Sequence, residues 1–125
     1  MTTQEEREAR IMAWADRTKP TVQEIFGEEA EITRGIREGD LQFVVSVKKP
    51  LRDRPNAHGL LHIRVSREAL DDYLLREHVG DIATRTFLTI VREKQKSYSP
   101  VPSDDSWKSP KPEVWLVRSE DVRVG

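Results

Sequence analysis

Two apolar runs with a two-residue period, Leu41–Val47 and Gly59–Val65, constrain this chain more than any other feature. In the first, Leu41, Phe43, Val45 and Val47 alternate with Gln42, Val44 and Ser46. In the second, Leu61, Ile63 and Val65 alternate with Leu60, His62 and Arg64. A strand sends successive side chains to opposite faces, so this spacing predicts two strands, each with one buried face. Glu38-Gly39-Asp40 supplies turn chemistry ahead of Leu41, and Ile32–Ile36 is then expected to form the other arm of a hairpin, weakened by Gly35.

Helical signals flank these runs. Thr3 and Glu6 have the spacing of a capping box, and Ile11, Met12, Trp14 and Ala15 give Glu6–Asp16 an apolar face. Pro20 is read as the first residue of a second, short helix that buries Val22, Ile25 and Phe26 and stops at Gly27. Ser66 is placed to cap a helix carrying Leu70 and Leu74, and Asp81 to cap the next. That next helix has the clearest amphipathic stripe in the chain: Ala83, Phe87, Ile90, Val91, Lys94 and Tyr98 recur every three or four residues. Pro100 and Pro102 end it, and residues 97–112 are expected to be an extended loop containing Trp107. A strand is expected at Val114–Val117, and a short final one at Val122 and Val124. The fold class that follows is α+β, a small, largely antiparallel sheet of three to five strands packed against amphipathic helices, with residues 1–125 as a single domain.

Composition bounds the function. With 36% apolar and 34% charged residues, the chain suits a small globular domain with a modest core. The net charge of −1 provides no long-range field toward nucleic acid or membrane, although residues 41–100 carry 11 basic and 7 acidic groups. The absence of cysteine removes disulfides, thiolate catalysis and cysteine-based metal sites. It also fits the expectation of a cytoplasmic protein. No apolar run approaches the roughly 20 residues of a membrane-spanning helix, and the first residues lack the pattern of a secretory signal.

Catalytic motifs are not apparent. His58 and His62 with a carboxylate fall short of a compact zinc-ligand pattern, so no metal or cofactor is expected. Asp71 and Asp72 diverge on a helix; Glu68 and Asp72, one turn apart, are explained by solvation. Ser66 reads as a cap, and no nucleophile elbow or phosphate-binding glycine loop is present. The candidate binding residues are Lys48, Lys49, Arg52 and Arg54 around the loop between the two runs, with Arg64 and Trp107. These basic groups could contact phosphates, and Trp107 or Tyr98 could stack on an unpaired base.

The reading favoured by the sequence is a noncatalytic protein-interaction module, an adaptor, regulator or chaperone, that takes a protein partner or a second copy of itself. The alternative is a nucleic-acid-binding protein that uses the basic loop, with a small carboxylate- and histidine-dependent hydrolase behind both.

Overall fold

The computed structural model describes residues 3–48, 58–98 and 113–124. Helix α1 (Gln4–Phe26) leads into strands β1 (Glu31–Arg37), β2 (Asp40–Lys48) and β3 (His58–Val65). A short helix α2 (Arg67–Ala69) widens into a π turn at Leu70–Leu74, then come α3 (Gly80–Lys96), β4 (Glu113–Val117) and a 3-10 turn at Ser119–Asp121. The sheet order is β1-β2-β3-β4. The α+β class expected from the pattern is the one observed. Two of its three pairings are antiparallel; β3 and β4 are parallel, and the chain from α2 through α3 lies in the crossover that such a pairing requires.

The hairpin joining β1 and β2 closes on two residues, Glu38 (φ 54°) and Gly39 (φ 85°). Positive φ at both central positions makes this a type I′ turn, whose twist matches that of the strands. Asp40, just after the turn, accepts from Arg64 Nε at 2.9 Å and from the Arg67 backbone N–H at 2.7 Å, tying the hairpin to the start of α2. Ser66 caps α2 as its position predicts, accepting from Ala69 N at 3.2 Å.

The alternating runs behave as their period requires. Leu41, Phe43 and Val45 of β2 and Leu61, Ile63 and Val65 of β3 are fully buried on one face, joined by Ile32, Trp115 and Val117. Helix α1 covers that face with Ile11, Trp14, Ala15 and Val22, and α3 with Ala83, Phe87 and Val91. Trp14, Phe43 and Phe87 meet at the centre, with ring centroids 5.4 Å apart for Trp14–Phe87 and 6.4 Å for the other two pairs. Burying one such side chain contributes about 1.5–3 kcal/mol, so this cluster fixes how both helices sit on the sheet. Trp14 Nε1 also donates to Thr84 Oγ1 at 2.9 Å, a polar tie between α1 and α3.

Three local expectations are corrected. Pro20 does not start a new helix: α1 runs through it for 23 residues. Proline costs a helix the hydrogen bond to the carbonyl four residues earlier, and here burial of Trp14 and Thr18 before it and Val22 after it holds both halves on one core. Asp81 does not cap α3, which begins one residue earlier: Gly80 N donates to Arg76 O and Ala83 N to Val79 O. The segment after β4 turns in a 3-10 conformation instead of forming a final strand, and buries Val122 against the core. Among the described residues no helix is long and apolar enough to cross a membrane.

Candidate interaction surface

Because α1 and α3 lie on the same side, no described helix covers the other side of the sheet. The register lays out its residues in rows: Glu31, Ser46 and Leu60; then Thr33, Val44, His62 and Val114; then Gly35, Gln42, Arg64 and Leu116. Leu60, Val114 and Leu116 are 40%, 54% and 41% exposed. They are three of the four exposed large apolar side chains among the described residues, the fourth being Ile82 on α3. Val44 is half-buried beside them. The alternation that fills the core on one face therefore places an apolar patch on the other.

Polar groups within the patch are tethered. His62, half-buried at its centre, has Nδ1 3.3 Å from Gln42 Nε2. Arg64 is bound through Nε to Asp40, and its Nη2 lies 3.8 Å from Glu38 Oε2. This places Arg64, one of the candidate binding residues, on the uncovered face but with its charge matched by two carboxylates. Lys48 ends β2 opposite His58, and the structure describes the backbone alone at both. Lys49, Arg52, Arg54 and Trp107 lie outside the described residues.

Elsewhere, a cleft of about 490 Å³ between α1 and α3 is lined by Arg10, Arg17, Arg76, Asp81 and Thr84 over the edge of Trp14. Arg10 Nη2 donates to Leu75 O at 2.6 Å across it. At the far end of α3, Tyr98 packs between Phe26 and Trp115, and the Lys94 ammonium lies 5.9 Å from the Trp115 ring centroid. Burial, then the neighbouring Glu113 carboxylate, raises the Tyr98 phenol above its ordinary range. On the opposite edge, Arg34 grips Asp16 through two hydrogen bonds at 2.8 and 3.2 Å, which lowers the Asp16 carboxyl and raises the Arg34 guanidinium. Asp71, half of the adjacent acid pair in the sequence, is bound to Arg7 at 2.9 Å. Among the described residues no three His, Asp or Glu side chains converge as a metal-ligand set.

The patch was only partly legible beforehand. Alternation assigns Leu60, His62 and Arg64 to one side of β3, but which side the helices leave bare depends on the crossover to β4. Val114 and Leu116 join the patch only through the parallel pairing of His62 with Val114 and Arg64 with Leu116. Comparison of the chain with protein-family models, with curated proteins and with solved structures finds no match.

Proposed function

We propose that this chain is a noncatalytic protein-interaction module whose partner is a polypeptide presenting an apolar segment to the uncovered sheet face. The observation that carries the reading is the gathering of Leu60, Val114 and Leu116 on one face of the sheet, with Val44 between them. Exposed apolar area of this kind, rimmed by polar groups, is characteristic of protein-contact surfaces. Charge supports a protein over a phosphate backbone here. The arginine within the patch is neutralised by Asp40 and Glu38, so the described part of this surface offers apolar contact with a hydrogen-bonding rim and little net attraction for polyanions.

The test is site-specific photo-crosslinking in the cells that make the protein, with the reactive group at position 116 and a control at Glu120. The partner identified is then purified and titrated against the wild-type chain and a V114E/L116E variant. Both side chains are exposed, so the substitutions leave the core intact. Placing two charges in an apolar contact should weaken binding at least about tenfold. Equal affinity of the variant, or crosslinking to nucleic acid at position 116, refutes the proposal.

A further inference from the structure

The outer strand β1 has a second property, independent of the patch. It runs for seven residues in unbroken register with β2, without proline, and among the described residues no strand pairs with its other edge. The type I′ turn makes Arg37 and Asp40 a hydrogen-bonded pair. Alternation along the ladder then directs the backbone N–H and C=O groups of Ile32, Arg34 and Ile36 outward. The sequence of this strand, Glu31-Ile32-Thr33-Arg34-Gly35-Ile36-Arg37, is self-complementary about its middle residue. Reversed upon itself it sets Glu against Arg, Ile against Ile and Thr against Gly.

We propose that two copies of the chain pair antiparallel along β1, on a two-fold axis at Arg34, to form one continuous eight-stranded sheet. An isologous contact requires that whatever residue i meets on its partner, the partner's copy of i meets in return. Here Glu31 faces the partner's Arg37, and Arg37 the partner's Glu31, at the two ends of the interface. Within a single chain neither Glu31 nor Arg37 has an ion-pair partner among the described residues, and both are exposed. Ile32 faces the partner's Ile36 on the helix-covered side, which extends both cores over the half-buried Ile36. A Cβ at Gly35 would meet nothing within 4 Å, so the other side has room for the partner's Thr33.

Arg34 is the apparent obstacle, because a charge directed inward on an edge strand commonly blocks such pairing. Its guanidinium is instead held in a bidentate pair with Asp16 of its own chain. What meets across the axis is therefore two neutralised pairs rather than two bare cations. The interface leaves Leu60, Val114 and Leu116 uncovered, so it stands or falls separately from the partner-binding face.

Sedimentation equilibrium of the full chain should show a dimer of 14.5 kDa protomers. The E31R and R37E variants, altered at exposed positions without an ion-pair partner among the described residues, should each dissociate about tenfold or more readily, since each juxtaposes like charges twice. Placing both changes in one chain should restore the wild-type dimer. An equimolar mixture of E31R chains and R37E chains should form the heterodimer in preference to either homodimer, because only the mixed pair matches charges at both ends. The proposal is overturned if the wild-type chain stays monomeric at about 1 mM, if E31R dimerises as well as wild type, or if V114E/L116E abolishes the dimer while the charge exchange leaves it unaffected.

Discussion

The junction between the π turn and α3 rests on the close approach of Gly80 to the Leu74 carbonyl, and one substitution measures what that approach is worth. A Cβ added at Gly80 would lie 2.9 Å from Leu74 O, with Leu74 C at 3.7 Å and Tyr73 O at 3.8 Å. The obstacle is backbone, so it cannot rotate aside as a flexible side chain would. Relief requires α3 or the preceding turn to move by about 0.5 Å, and strain of this kind typically costs about 1–3 kcal/mol. Helix propensity acts in the opposite direction, since alanine is favoured over glycine by up to about 1 kcal/mol in a helix interior and by less in the first turn. Sterics should win, leaving G80A less stable by about 1–2 kcal/mol.

The paired control is G35A. That position has no heavy atom within 4 Å of the added Cβ, and the substitution should be neutral or stabilising by up to about 1 kcal/mol. Urea unfolding followed by circular dichroism, at dilutions where the chain is monomeric, distinguishes the two. For a domain of this size the G80A midpoint should fall by about 0.5–1 M at unchanged slope, while that of G35A holds or rises. A G80A midpoint equal to or above wild type would refute the steric argument and show that the helix junction yields at little cost.

Two further outcomes follow from polar ties between elements. D40A removes the acceptor shared by Arg64 and the Arg67 N–H, and should cost about 1–3 kcal/mol in thermal unfolding, with D40N recovering part because its remaining oxygen still accepts. The Asp16 carboxyl is lowered chiefly by the Arg34 hydrogen bond, so the unfolded chain binds its proton more readily than the folded one. Its contribution is thus present above the ordinary carboxylate value of about 3.9 and fades as pH falls through the lower folded value. R34Q should flatten that part of the acid limb in urea melts collected between about pH 2 and 5, at dilutions where the chain is monomeric; parallel wild-type and R34Q curves would refute the assignment.

The strands were readable because burial at period two leaves a sequence trace that does not depend on distant partners, as Leu41–Val47 and Leu61–Val65 illustrate. The hairpin followed from Glu38-Gly39, and α3 from its stripe, since Ala83, Phe87 and Val91 all reach the core. What misled were features settled by tertiary contacts. Pro20 carries a local helix-start signal that is overridden by the packing of Trp14, Thr18 and Val22 on a single core. Asp81 is a good capping residue by type, yet the preceding turn supplies Arg76 O and Val79 O as acceptors and moves the helix start forward. The candidate surface lay deeper still. Leu60 could be assigned to the outer side of β3, but Val114 and Leu116 become its neighbours only through a parallel pairing between residues distant in the chain. Of the charged candidates, Arg64 was legible as exposed-face and basic, whereas its neutralisation by Asp40 depends on the hairpin returning beside it.

The parallel pairing of β3 with β4 also bears on how the protein opens. β1 and β2 are separated by two residues and β2 and β3 by nine, so they can pair as neighbours in sequence, whereas β4 reaches β3 only after the whole of α2 and α3 has been laid down. Closing that long connection costs chain entropy before any contact repays it, and five residues of ladder return less than the meander does. The seam between β3 and β4 is therefore the sheet contact that joins the residues farthest apart in sequence. Its parting would bare the edge of β3 and separate Val114 and Leu116 from Leu60, so the proposed contact face depends on a strand whose ladder partner lies far away in the chain.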